Sequence, residues 1–203
     1  NIHLHHISQK GDIEHQQTSL SGLEAEGIIH GGKIDWEVSL SGARNQYNYY
    51  GYNHGLYSFT DDSVQQAYTS IKAGLALRNG TNNQSKLTYS PSLYGGLYNA
   101  AFGTSEVSAG LSLPFEYKFD NTVQALVTIK SDYAHLKTLD TAKDNELMAV
   151  IPGVRVSLGN FTGTALVGFA LGTGNALYIL PDIKFAYRLP RSQATFIAGM
   201  QYT

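Results

Sequence analysis

The chain contains no cysteine, and none of its apolar runs approaches the 18 residues from which a membrane-spanning helix is recognised. The first absence excludes a disulfide scaffold, thiolate metal sites and a cysteine nucleophile, and leaves the compartment open. The second excludes a helical membrane protein, and no basic segment followed by an apolar stretch opens the chain as a signal peptide would. Charge is also scarce, at 15% of residues, with 14 Lys and Arg against 16 Asp and Glu. No basic field exists to hold a phosphate backbone, so nucleic acid is not an expected partner. "GFALGTGN" (168–175) is rich in glycine but lacks the lysine and following helix of a phosphate loop, and no cofactor is expected.

What is plentiful is glycine, at 21 residues, and tyrosine, at 14 of 203. A transmembrane β-barrel keeps a composition of this kind because only alternate residues of its strands face lipid. The length suits one undivided all-β domain, 1–203.

Period two runs through the chain. In "KIDWEVSLSGA", Ile34, Trp36, Val38 and Leu40 fall on one face, and Lys33, Asp35, Glu37 and Ser39 on the other. "SEVSAGLSLPFEYKF" and "ALYILPDIKFAYRLP" divide in the same way. Eleven strands are predicted near 1–9, 17–30, 33–46, 66–79, 85–98, 105–119, 121–136, 146–159, 161–172, 176–189 and 193–203. Many exceed the usual five or six residues of soluble strands, and are long enough to cross a hydrocarbon layer. Tight turns at 30–33, 119–121, 158–161 and 189–193 alternate with longer loops at 47–65 and 137–145. The fold expected is therefore an all-β antiparallel up-and-down meander, a transmembrane β-barrel or a large segment of one.

"RNQYNYYGYNHGLYSF" (44–59) packs five tyrosines into the end of a strand and its loop. Aromatic rings are stable where one end is apolar and the other wet, so Tyr47, Tyr49, Tyr50, Tyr52 and Tyr57 are expected at the membrane interface. Tyr94, Tyr98, Tyr187 and Tyr202 extend that expectation to other strand ends. The competing reading makes the 47–59 aromatics a ligand platform.

"SPSLYGGLY" (90–98), "IPGVRVSL" (151–158) and "LPDIKFAYRL" (180–189) share a proline, a small or acidic residue, then apolar residues two, four and six positions after the proline. The pattern resembles the strand-entry segments of TonB-dependent receptors, and the long alternating strands are similar to plug-less, porin-like barrels as well. That resemblance implies nutrient uptake across the outer membrane of a Gram-negative bacterium, with lipid, a small-molecule nutrient or glycan and a periplasmic energy-coupling protein as partners. It also implies a 22-stranded barrel, of which eleven strands are about half, so a fragment or a trimmed chain is expected. Pro91 and Pro114 sit awkwardly in this scheme, because proline supplies no N–H to a sheet.

Among candidate sites, Asp35, Glu37, Lys72, Glu106, Lys118, Lys130, Asp132, Asp182, Lys184 and Arg188 form a mixed-charge face suited to lining a lumen. On a soluble sheet the same residues would form a solvated face with cross-strand pairs. His3 and His5 share a strand face with metal-ligand spacing, near Asp12 and Glu14, yet histidines at strand ends are more often simply solvated, and no metal site is expected. Ser8 near His6 is the one Ser–His pair that could serve a lipid-modifying enzyme, and no surrounding motif supports it. The leading expectation is a transport protein and not an enzyme. A soluble or surface-exposed glycan-binding module is the alternative, and a lipid-modifying barrel enzyme the third.

Overall fold

A computed structural model describes the chain except residues 14, 54, 80–84, 175, 190–193 and 202–203, so Glu14 and Tyr202 lie outside the described residues. The strands are β1 (Ile2–Lys10), β2 (Gln17–His30), β3 (Ile34–Asn48), β4 (Gln65–Asn79), β5 (Leu87–Tyr89), β6 (Ser92–Ala100), β7 (Ser105–Lys118), β8 (Val123–Lys137), β9 (Ala142–Leu158), β10 (Phe161–Gly172), β11 (Leu177–Arg188) and β12 (Thr195–Gln201). All pair antiparallel in one up-and-down meander, each with its neighbour along the chain except that β4 pairs with β6 and β5 with β7. One helical turn, α1 (Asp61–Val64), ends the connection from β3 to β4.

β5 and β6 occupy a single lane. Leu87 faces Tyr117 and Ser92 faces Ser112, so no residue is inserted between them relative to β7. The lane breaks at Ser90 and Pro91 because Pro114 lies opposite, and two prolines remove two ladder donors at one place. The remaining groups are used: Ser90 N–H donates to the Pro114 carbonyl at 3.3 Å and Leu77 N–H to the Pro91 carbonyl at 2.8 Å. The Asn79 side chain bridges to β5, accepting from Tyr89 N–H at 2.6 Å and donating to the Leu87 carbonyl at 3.1 Å. The awkward prolines are thus accommodated by a side-chain amide without a register shift.

The connection expected over 137–145 shrinks to 138–141, since β9 starts at Ala142 and Lys143, Asp144 and Asn145 pair with Leu136, His135 and Ala134. Asp144 is held there by the Tyr133 hydroxyl at 2.8 Å and by His135 Nδ1 at 2.7 Å. With that correction only the segment between β3 and β4 is much longer than the others. At the opposite end, Leu158-Gly159-Asn160-Phe161 reverses the chain around Gly159, whose φ of 58° suits a residue without Cβ.

The sheet is open: among the described residues no ladder joins β1 to β12. With β5 and β6 in one lane, eleven lanes alternate in direction, so the two edges run the same way. The accessible surface is 14,350 Å², against about 9,300 Å² for a compact monomer of this length. Buried apolar residues among those described are Val64, Ala149 and Ala170, and no large side chain is fully buried. Substantial contacts run between lane neighbours, with no second layer over either face of the described sheet.

Candidate functional site

Register assigns every strand residue to one of two faces, because successive side chains alternate. On the first, Trp36, Val38 and Leu40 of β3 stand beside Leu77, Leu75 and Ala73 of β4. The same face continues through Leu93 and Leu97, then Val107, Leu111 and Leu113, then Ile129 and Val127, then Val150 and Val154. It ends on Val167 and Phe169, Ile179 and Ile183, and Met200. Arg44, Lys137, Asp144 and Glu146 form its rim at the end that carries the 49–64 connection, and Lys10 stands at the same end of β1. From that rim to the opposite strand ends, the described face holds no Asp, Glu, Lys or Arg. Its side chains are open to their surroundings: Val38 is 45% exposed, Leu93 53% and Phe169 45%.

Most aromatics of this face gather at the strand ends opposite the 49–64 connection, with Phe169 and Tyr133 as exceptions. Trp36, Tyr89, Phe115, Tyr117, Phe161, Phe185, Tyr187 and Phe196 form a belt from β3 to β12. Within it, Phe161 and Phe185 stack at 5.9 Å, and Tyr117 meets Phe119 edge-on at 5.1 Å. The tyrosines on which the sequence reading concentrated lie elsewhere. Tyr47 belongs to β3 itself, on the face opposite Trp36, with Tyr68 and Tyr98 on that same opposite face. Tyr47 touches Tyr49 edge-on at 5.7 Å and Tyr68 at 6.3 Å, and Tyr68 lies 6.3 Å from Tyr98. Tyr94 also falls on this second face, whereas Tyr187 is part of the belt. Tyr52 and Tyr57 pack on Phe59 within the connection, and Tyr52 contacts His15 of the β1–β2 turn at 6.2 Å. Tyr49 and Tyr50 follow β3 directly and are exposed.

The second face carries all ten of the proposed lining residues: Asp35, Glu37, Lys72, Glu106, Lys118, Lys130, Asp132, Asp182, Lys184 and Arg188. Several charges are paired laterally. Arg155 Nη1 donates to Glu116 Oε2 and to Gln124 Oε1, each at 3.2 Å. Arg78 approaches Glu37 at 3.9 Å, and His30 lies 3.2 Å from the buried carboxylate of Asp35. The Tyr94 ring covers Gly110, and its hydroxyl donates to Asp132 at 2.6 Å. Lys72, Glu106 and Asp132 line a cavity of about 800 Å³ with Tyr94, Lys143 and Tyr178. Its centre is low because Gly96, Ser108 and Ala134 present little or no side chain there.

The histidine cluster is dispersed. His3 and His5 rings are 5.4 Å apart, and no group of three His, Cys, Asp or Glu among the described residues could hold a metal ion. His6 meets Ser21 across the strand pair at 2.9 Å instead of Ser8.

No protein family, curated protein or solved structure matches the chain. The reading of function therefore rests on the two faces themselves.

A second cavity, of about 680 Å³, lies where the β1–β2 turn meets the end of β3. Asn48, the last residue of β3, lines it and is 2% exposed, and neither its amide nitrogen nor its amide oxygen has a hydrogen-bond partner. Sequence reasoning passed over Asn48, because an amide at a strand end carries no local signal of burial.

Proposed function

We propose that the chain is a transmembrane β-sheet protein of a Gram-negative outer membrane, the wall of a barrel or a large segment of one. In this reading it passes a small polar nutrient across the membrane and is not an enzyme. The observation that carries it is the charge-free apolar face, open over the whole described sheet. In water such a face is far larger than the few hundred Å² of contiguous apolar surface that monomeric proteins tolerate. Lipid covers it without a second protein layer.

Dimensions agree. From Val107 to Tyr117, β7 advances ten residues, about 34 Å along the strand at about 3.4 Å each. At the ~35–45° tilt of barrel strands this becomes about 24–28 Å of height, close to the roughly 25 Å apolar band of outer-membrane barrels. The belt from Trp36 to Phe196 then sits at one interface, where rings with an apolar body and a polar tip are stable. Every backbone donor and acceptor in lipid must be paired, which a sheet meets only by closing. Since both edges run the same way, antiparallel closure takes an odd number of further lanes, and direct closure takes a parallel β1–β12 ladder.

The second face supports passage of a polar solute. Mixed charges, lateral ion pairs and the basin around Gly96 and Ser108 suit a hydrated wall. A TonB-dependent receptor and a porin-like channel both use such a wall, and an energy-coupling partner belongs to the receptor form alone. The test is fractionation: the expressed protein should sediment with membranes and stay folded only in detergent or bilayers. A folded, monodisperse monomer in plain buffer contradicts the reading.

A further inference from the structure

We infer that the cavity at the end of β3 is a binding site for a neutral saccharide. Its lining is unusual beside the rest of the polar surface, where charges dominate. Here the polar groups are chiefly uncharged: the carboxamides of Gln9, Gln16, Gln17 and Asn48, and the hydroxyls of Ser8 and Thr18. Lys10 is the one charged side chain among the described lining residues, and Tyr47 and Tyr50 add two rings.

The chemistry of that set selects polyols. A carboxamide offers donors and an acceptor a fixed distance apart, and each sugar hydroxyl both donates and accepts. Pairs of neighbouring hydroxyls can therefore engage a carboxamide through both of its ends, whereas a carboxylate or phosphate would leave its acceptor side facing another acceptor. Tyrosine rings supply an apolar face for the C–H side of a sugar ring, with a hydroxyl at the edge for its polar rim. The volume falls within the roughly 300–1,000 Å³ of small-molecule sites and leaves room for an oligosaccharide segment.

Asn48 is the second, independent observation. A buried amide with both ends unpaired is costly, and native proteins keep few such groups without a reason. Asn45, three residues earlier, repeats the feature in part: its Nδ2 donates to the Tyr68 hydroxyl at 2.6 Å, while its Oδ1 is buried and unpaired. Asn45 sits beside the Tyr47–Tyr68 ring contact on the second face, whereas Asn48 alternates to the other side of β3, into the cavity wall. The contact between His15 and Tyr52 ties the β1–β2 turn to the 49–64 connection beside the cavity. Both amide ends of Asn48 are closed to solvent, so a ligand hydroxyl completes their hydrogen bonding by displacing a side chain of the cavity wall.

The site lies at the strand ends, where residues of both faces meet, and rests on the transport reading for the solute's fate though not for its binding. The experiment is saturation-transfer NMR on the folded protein, in detergent or in buffer, with maltotriose, cellotriose, isomaltotriose and chitotriose at millimolar concentration, and a glucuronic acid trimer as the anionic arm. At least one neutral trimer should bind, and the anionic trimer should bind at least tenfold more weakly. Asn48→Leu should lower that binding at least tenfold while raising the melting temperature, because it replaces the unpaired amide by an apolar group of similar size. Tyr50→Ala, at an exposed ring, should also weaken binding and serves alone if Asn48→Leu does not fold. Absence of binding by all four neutral trimers, preference for the anionic one, or unchanged binding in the variants overturns the site. Because binding is read on whichever folded form is obtained, its failure leaves the membrane reading standing. A detergent-free folded monomer that binds sugar would overturn the membrane reading and keep the site.

Discussion

Placing an arginine on each face of one strand separates the lipid account from a soluble sheet. Leu111 stands on the apolar face of β7 between Leu93 and Ser131, while Ser112 points to the charged face between Ser92 and Lys130. Leu111 is 38% exposed and lies four residues from Val107 and six from Tyr117, near the middle of the apolar span. Leu111→Arg would thus bring a guanidinium close to the bilayer midplane, at a cost of about 2–4 kcal/mol. At about 1.36 kcal/mol per decade this is roughly a 30- to 900-fold loss in the folding equilibrium. Ser112→Arg puts the same group into a hydrated, mixed-charge surface, where about 0.5 kcal/mol or less is expected. In water the open apolar face would also tolerate the first change, since arginine lays its methylenes along apolar surface and keeps its head wet. The assay is urea-driven unfolding from phospholipid vesicles, followed by the fluorescence of the single tryptophan, Trp36. Equal costs for the two arginines would refute the assignment of faces to lipid and water.

Three further outcomes follow from particular residues. Trp36 belongs to the aromatic belt, so lipids brominated near the headgroup should quench it more strongly than lipids brominated near the chain ends; the reverse order would remove the belt from the interface. Asp120 Oδ1 accepts from the N–H groups of Thr122 at 2.6 Å and Val123 at 2.8 Å, and these bonds hold its carboxyl below the usual carboxylate range. A depressed folded value means that the turn is stabilised above the unfolded pKa, about 3.9, and loses that contribution as pH falls through the lower folded value. Hydrogen exchange at Thr122 and Val123 should accordingly lose protection in acid in the wild type relative to Asp120→Asn, and parallel pH profiles would contradict the assignment. Gly110→Ala should displace the Tyr94 ring from its place over the glycine and weaken its hydrogen bond to Asp132, costing about 1–3 kcal/mol in the same urea assay. A neutral effect would mean that the ring is free to move aside.

Strand positions were legible because period two is a local signal: β2, predicted at 17–30, runs over Gln17–His30, and β10, predicted at 161–172, runs over Phe161–Gly172. The face of each charged residue followed from the same parity, which is why all ten proposed lining residues share one side. The loop expected at 137–145 failed since "TAKDNE" is polar apart from Ala142, and polarity alone does not reveal that Asp144 is fastened to Tyr133 and His135 on the adjacent strand. The face of the aromatics was less legible for a different reason. Tyr47 was assigned by its place at a strand end, although its odd parity against Trp36 already sets it on the polar side. The belt that does lie on the apolar side draws eight residues from six lanes, and only cross-strand register brings them to one level. Asn48 illustrates the remaining gap: an amide at a strand end is ordinary in sequence, and its lack of partners is visible only in the folded chain.

The central claim is that one face of this sheet meets lipid and the other water, and the missing cysteine makes it directly measurable. Nitroxides would be attached singly through Leu111→Cys, Ser112→Cys and Leu113→Cys in protein reconstituted into bilayers, and their collisions with oxygen and with a water-soluble nickel complex compared. Successive side chains of β7 point to opposite sides, so labels at 111 and 113 should collide chiefly with oxygen and the label at 112 chiefly with nickel. Low accessibility to both reagents at 111 and 113 would mean a packed protein layer over the apolar face and would contradict the account.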